Sequence, residues 1–141
     1  MGVEEKKIAF NSMSIQLDSV DFKKVKNIET NFDRIKIITK DYFDLVELTK
    51  ESFTISYERK VELEPKIMFE ISVKFDVIFR FGEKTIDEYK DNFEELREVV
   101  KEKLEKAIEI SNVIPRASAI ISSLTLNLNN RPIITPPSLQ K

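Results

Sequence analysis

Residues 67–81 read IMFEISVKFDVIFRF, and this stretch decides the fold because it is the longest run of alternation in the chain. Every odd-numbered position holds an apolar residue, from Ile67 to Phe81. The even-numbered positions are mostly polar, with Met68 and Ile78 as the exceptions. Because successive side chains of a strand point to opposite faces of its sheet, the pattern predicts one long strand with one buried face.

The segment before this strand follows the same rule, and only Arg59 interrupts its apolar positions. Those positions are Phe53, Ile55, Tyr57, Val61 and Leu63. Residues 64–66 contain a proline that favours a turn, so the two segments predict a hairpin. Pairing Leu63 with Ile67 puts both apolar sets on one face, whereas a slip by one residue would separate them. The resulting pairs are Val61 with Phe69, Tyr57 with Val73, and Ile55 with Phe75.

Two weaker signals precede the hairpin. Apolar residues alternate from Met13 to Leu17 and then shift phase around Val20 and Phe22, which predicts a first strand with a bulge or bend. Residues 29–50 mix polar and apolar residues without a sustained period. They predict a long connection that carries a short strand near residues 34–39. Long connections with apolar content tend to be functional.

After Gly82 the apolar residues recur every three or four positions, which predicts an amphipathic helix from about Asp87 to Ile110. Pro115 opens a second helical segment that runs to about residue 128. Three prolines then exclude a helix or a central strand from residues 129–141, so we expect an extended tail there. We interpret residues 1–141 as a single α+β domain, with the sheet in 1–82, two helices in 83–128 and the tail in 129–141.

The composition argues against most catalytic sites. The chain has no His, no Cys and two glycines, so it lacks the usual neutral-pH bases, thiolates and glycine-rich phosphate loops. We therefore expect no enzymatic activity, no cofactor and no metal site. The net charge is −2, and the basic residues do not form the stripe that a phosphate backbone requires. Both observations argue against a nucleic-acid partner.

The distribution of apolar residues also argues against a membrane protein. No run reaches the roughly 18 apolar residues that a membrane-spanning helix requires. The first ten residues, MGVEEKKIAF, lack the uncharged core of a signal peptide. We expect a cytoplasmic protein without membrane insertion.

The stretch from Pro115 to Leu139, PRASAIISSLTLNLNNRPIITPPSL, carries a pattern that resembles the SecB family of bacterial export chaperones. The matching residues are Pro115, Ala117, Ile120, Ile121, Ser122, Leu124, Thr125, Pro132, Ile133, Ile134, Pro136 and Pro137. The resemblance implies a four-stranded antiparallel sheet followed by a long helix and a shorter one. It also implies an ATP-independent holdase for unfolded or pre-export polypeptides that assembles as a homotetramer, with a dimer as the alternative.

Two departures separate the chain from that family pattern. Ser118 stands where the family's helix usually carries Arg, and residues 128–130 read Leu-Asn-Asn where Gly-Gly-Phe is usual. The predicted outward face of the sheet mixes acidic and basic residues, whereas the family's acidic face docks the motor ATPase of the export translocase. The motor ATPase is therefore a less favoured partner than a polypeptide client.

An uncharged helix that faces an apolar connection suits a groove for unfolded chains, because charges would reject apolar segments through their desolvation cost. The predicted client-binding residues are Phe32, Ile35, Ile37, Ile38, Tyr42, Phe43, Ile121, Leu124 and Leu126. The predicted oligomer-interface residues are Met13, Ile15, Leu17, Phe93, Val100 and Leu104. Two alternatives stay open: a chaperone dedicated to one partner, such as the antitoxin of a toxin–antitoxin pair, and a non-catalytic interaction protein that binds a folded partner.

Overall fold

The two alternating segments form neighbouring central strands of a four-stranded antiparallel sheet. The computed structural model describes residues 8–24, 36–64, 69–129 and 132–141. The sheet order is β1-β4-β3-β2, so β1 and β2 are the edges. The strands are β1 Phe10–Lys24, β2 Lys36–Leu48, β3 Ser52–Glu64 and β4 Phe69–Phe81. The helices that follow are α1 Glu83–Tyr89, α2 Phe93–Glu102, α3 Leu104–Ser111 and α4 Val113–Asn129. The predicted α+β arrangement is confirmed.

The register of the central hairpin differs from the predicted one by two residues. Tyr57 pairs with Phe75, and Ile55 pairs with Val77. An alternating pattern excludes slips by one residue but not by two, because a two-residue slip leaves every side chain on its original face. The observed register also pairs Phe53 with Phe79, whose rings stack 5.0 Å apart. Ile67 and residues 65–66 of the predicted turn lie outside the described residues.

The predicted bulge in the first strand is confirmed. β1 pairs with β4, and its register shifts between Leu17 and Ser19. Because of this shift, Leu17 pairs with Phe75 while Val20 pairs with Val73, so odd and then even positions of β1 meet the apolar face of β4. The bulge keeps one row of apolar side chains on one face of the sheet although the sequence changes phase.

The predicted short strand near residues 34–39 is longer in the structure, where residues 36–48 form strand β2 along the full length of β3. The predicted loop was therefore wrong over residues 40–48. The part from residue 29 to residue 35 lies outside the described residues. The alternation in β2 is weak because Asp41 and Thr39 lie on the core-facing side, where Ile37, Phe43 and Leu45 are apolar. Asp41 occupies the position opposite Arg59. A register shift between Leu45 and Glu47 also changes which positions of β2 face the core.

The predicted long helix is divided into α1, α2 and α3, so four helices follow the sheet where two were expected. The Asn92 side chain caps α2 by accepting a hydrogen bond from the Glu95 backbone N–H, and its amide donates to the Glu95 carboxylate. This Asn-x-x-Glu pattern is a recognisable start signal for a helix. Helix α4 begins two residues before Pro115, directly after Asn112, whose left-handed φ of 65° turns the chain.

The helices cover one face of the sheet. Helix α4 packs on β4, and α3 packs on β2 and β3. The core joins the alternate residues of β3 and β4 to apolar residues of the four helices, among them Tyr89, Leu96, Val100, Ile108 and Ile121. Among the described residues, no helix has the length and the apolar character needed to cross a membrane.

Engineered cysteines on the uncovered face test the register. Thr54 pairs directly with Ile78 in the structure, whereas the predicted register would have paired Thr54 with Asp76. Directly opposed residues meet the Cα distance that a disulfide requires, and diagonal neighbours at about 7–8 Å do not. We expect T54C/I78C to lose both free thiols under mild oxidation, as measured by thiol titration.

The T54C/D76C variant is the matched control, and it should keep both thiols. The chain has no native cysteine, so every thiol counted comes from the engineered pair. Oxidation of T54C/D76C in place of T54C/I78C would contradict the observed register.

Candidate functional site

A buried ion pair lies on the helix-covered face of the sheet, between β2 and β3. Arg59 donates from Nε to Asp41 Oδ1 and from Nη2 to Asp41 Oδ2, both over 2.7 Å. Both side chains are 0% exposed. The two parallel bonds form the bidentate geometry that makes an Arg–carboxylate pair strong and directional.

Tyr57 completes this group, and we call Asp41, Tyr57 and Arg59 the hub. The Tyr57 hydroxyl donates to Asp41 Oδ1 over 2.6 Å. Burial, together with the hydrogen bond to Asp41, raises the pKa of Tyr57 well above its ordinary value. Burial lowers the pKa of Arg59, but the hydrogen bond to Asp41 and the adjacent negative charge outweigh that effect and raise it. The Tyr57 hydroxyl therefore stays protonated and Arg59 stays charged at ordinary pH.

The hub holds residues 132–141, which we call the strap, against the sheet and α4. The Arg59 Nη1 group donates to Ser118 Oγ, Thr135 Oγ1 and the Pro136 carbonyl over 2.9, 3.0 and 2.6 Å. Its Nη2 group donates to the Ser138 carbonyl over 3.0 Å. Earlier in the strap, the Ile133 N–H donates to Thr125 Oγ1 over 2.7 Å. One guanidinium thus joins β3, α4 and the strap.

The tip of the strap, residues 139–141, lies on the outer edge of β2. The Asp41 N–H donates to the Gln140 carbonyl over 2.6 Å, and the Gln140 N–H donates to Asp41 Oδ2 over 2.7 Å. Lys141 forms an exposed ion pair with Glu105 over 2.6 Å. The bond from the Asp41 N–H to the Gln140 carbonyl is the kind of main-chain contact that an added strand would make with a sheet edge, whereas the second bond is made to the Asp41 side chain.

The sequence carried one signal of the hub, which was the interruption of the apolar positions of β3 by Arg59. A buried arginine requires an acidic partner, and Asp41 is the polar residue at the corresponding position of β2. Recognising the pair required β2 to be predicted as a full strand. The strap contacts had no local signal, because Asp41 and Gln140 lie 99 residues apart.

A row of apolar side chains on β1 is exposed on the helix-covered side of the sheet. We call Met13, Leu17, Val20 and Phe22 the β1 stripe, and each is 38–53% exposed. Its partners on β4 are buried, so the helices cover β4 but leave the neighbouring edge strand open. A contiguous apolar stripe on an edge strand is typical of a surface that contacts another polypeptide.

The predicted client-binding residues of β2 divide between the two faces of the sheet. Ile37 and Phe43 share the face of the core, since they pair with Leu63 and Tyr57. Ile38 and Tyr42 point to the opposite face, where they pair with Glu62 and Glu58. Ile37 and Tyr42 are exposed, whereas Ile38 and Phe43 are half-buried. Phe32 and Ile35 lie outside the described residues.

The other predicted site residues differ widely in exposure. Ile121 is fully buried in the core, Leu124 is half-buried against it, and Leu126 is exposed. Val100, which was predicted at an oligomer interface, is also fully buried. The side chains of Ile121 and Val100 are therefore closed to a client and to a second copy of the chain.

The remaining predicted interface residues, Ile15, Phe93 and Leu104, are half-buried and pack on the core. In the part of the chain that the structure describes, no group of three or more acidic residues is placed to hold a metal ion.

Comparison with known proteins identifies the fold. No family model and no curated protein matches the chain. Among solved structures, the chain is similar to the Mycobacterium tuberculosis SecB-like chaperone Rv1957, in complex with a ChAD peptide from the Rv1956 HigA1 antitoxin. The TM-score is 0.51 at 10% sequence identity, and the match covers 87% of this chain and 85% of that chain. At this identity the likeness shows the fold alone, and the chain has a SecB-like fold.

Proposed function

We propose that the chain is an ATP-independent chaperone that holds extended, unfolded polypeptides along β2. The observation that carries the proposal is a sheet edge flanked by exposed apolar side chains. Ile37, Tyr42 and Val46 are 48–57% exposed on this edge strand. Among the described residues, the Asp41 N–H makes the one main-chain hydrogen bond from β2 to a segment outside the sheet. We propose that the rest of the edge binds a client.

An edge of this kind suits many client sequences. Main-chain hydrogen bonds do not depend on the client's side chains, whereas apolar contacts on either side select segments that a folded protein would bury. Ile37 lies on the core-facing side of β2, Tyr42 lies on the opposite side, and Val46 lies at the register shift. The three residues therefore flank an added strand rather than form one flat patch. Binding would need neither nucleotide nor covalent chemistry, and we propose that the chain is not an enzyme.

The structural neighbour supports a polypeptide ligand, because it is a SecB-like chaperone in complex with a peptide of an antitoxin. That peptide also favours a second candidate function, which is a chaperone dedicated to one partner protein. The two candidates differ in client range. A general holdase suppresses the aggregation of several unrelated unfolded proteins, whereas a dedicated one binds a single partner and ignores the others.

The uncovered face of the sheet supports a chaperone that works without the motor ATPase of the export translocase. Glu58 accepts a hydrogen bond from Ser72 and lies 3.6 Å from the Lys74 ammonium. Acidic side chains paired with basic neighbours do not form the negative surface that a basic docking partner requires. We propose a cytoplasmic holdase whose role in protein export is secondary.

The β1 stripe supports self-association. Its residues lie on one face of a long edge strand, and an exposed apolar row of this kind is stabilised when a second copy covers it. We propose that two copies meet through β1 and that such dimers pair into a tetramer.

Serine substitutions at Ile37 and Val46 test the client surface. The I37S/V46S variant removes apolar contacts beside the edge. We expect it to bind a reduced, unfolded model polypeptide about thirtyfold more weakly, since each of the two lost apolar contacts costs on the order of 1 kcal/mol. Fluorescence anisotropy with the labelled polypeptide measures the affinity.

The I110S variant is the matched control, because Ile110 is equally exposed but lies near the end of α3. It should bind like the wild type, and all three proteins should have the same unfolding temperature. Equal binding by I37S/V46S and the wild type would contradict the β2 surface. A wild type that binds no unfolded polypeptide would contradict the proposed holdase.

A lysine in the β1 stripe tests the assembly. We expect light scattering to give a wild-type mass that is a multiple of 16.5 kDa, and L17K to give a smaller assembly because it places a charge in the apolar contact. The control S14K alters the opposite face of the same strand, where Ser14 pairs with Ile78, and it should keep the wild-type mass. A monomeric wild type, or equal masses for wild type and L17K, would overturn the proposed interface.

A further inference from the structure

The strap is held by two separate sets of contacts. Its middle, from Thr135 to Ser138, is tied to the Arg59 guanidinium, and the Thr135 side chain is buried. Its tip depends on the two bonds between Gln140 and Asp41 and on the solvent-exposed ion pair of Lys141. Exposed ion pairs contribute little, so the two Gln140 bonds are the polar contacts that must break to release the tip.

The packing around the tip is also incomplete. A cavity lies between Pro137, Ser138 and Leu139 on one side and Asn112 and Ile114 of the α3–α4 corner on the other. Leu139 lines this cavity and is half-buried against the core. The cavity admits water, so the atoms of the tip that line it lose no protein contact on that side when another segment replaces them.

We propose that residues 139–141 are a built-in competitor for the client edge of β2, which an incoming polypeptide displaces. This inference rests on the proposed function and adds its regulation. The tip occupies the edge at Asp41 with the same two main-chain groups, one N–H and one carbonyl, that an added client strand would present. A client at this position must release the tip before it can bond to Asp41.

The contacts that the tip makes at Asp41 also define the client segment that could replace it. Asp41 offers a main-chain N–H to a carbonyl and a carboxylate oxygen to an N–H of the same residue, which is Gln140 in the strap. The preceding residue, Leu139, places an apolar side chain against the core. The matching client is an extended segment with an apolar residue directly before the residue that bonds to Asp41.

The hub allows this exchange without loss of the fold. Asp41 Oδ1 and Oδ2 keep their bonds to Arg59 when the tip leaves, and Arg59 keeps its bonds to the Pro136 and Ser138 carbonyls. The buried charges thus remain paired while the tip is displaced. The middle of the strap holds the tip close to its seat, so the tip returns when the client leaves.

A proline at position 140 tests the competition. The Q140P variant removes the N–H that donates to Asp41 Oδ2 but leaves the hub intact. A weaker competitor raises the fraction of open edges, so we expect about fivefold tighter binding of the reduced, unfolded model polypeptide, the equivalent of one net hydrogen bond. The Q140A control keeps both main-chain groups and should bind like the wild type. Fluorescence anisotropy measures all three affinities.

Amide hydrogen exchange of the wild-type chain provides the second measurement. When the polypeptide is added, the Gln140 N–H should exchange about tenfold faster because it leaves Asp41, while the Asp41 N–H stays protected by the client carbonyl. Equal affinities of Q140P and Q140A would overturn the competition and leave the holdase function standing, as would a Gln140 N–H that stays protected in the complex. Failure of all three proteins to bind the polypeptide would remove the proposed function and this inference with it.

Discussion

The ion pair between Asp41 and Arg59 constrains the surrounding structure because both side chains are shielded from water between the sheet and the elements packed on it. Removing two charges from water is costly unless their remaining hydrogen-bonding groups are also satisfied. Here the partners come from Tyr57, from Ser118 and from the carbonyls of the strap. The position of β2 beside β3, the course of the strap and the start of α4 are therefore linked through one guanidinium.

The sequence predicted the elements whose periodicity comes from burial on one face. The alternation in β3 and β4 and the change of phase in β1 were sufficient because no polar residue other than Arg59 interrupts the buried face. The register was wrong by two residues, since a period of two cannot distinguish slips by an even number. Strand β2 was missed over most of its length because its central core-facing residue is Asp41, which a sequence pattern reads as exposed.

The site was predictable only in part, because the spacing of apolar residues does not say how completely each is covered. Ile121 and Leu126 both lie on α4 among small polar residues, yet one is buried and the other exposed. Likewise, Ile37 and Ile38 are adjacent in the sequence but belong to opposite faces of β2. The strap contacts join segments far apart in the chain, and no local pattern carries that information.

The hub and the strap lie far apart in the sequence, so the ribosome synthesises them at different times. Ser138 is added 79 residues after Arg59. At about 5–20 residues per second, synthesis leaves an interval of about 4–16 s between them. During that interval Arg59 lacks the carbonyls that complete its bonding. The nascent chain must therefore keep this arginine hydrated and leave the edge of the sheet unfinished until the ribosome has delivered the strap.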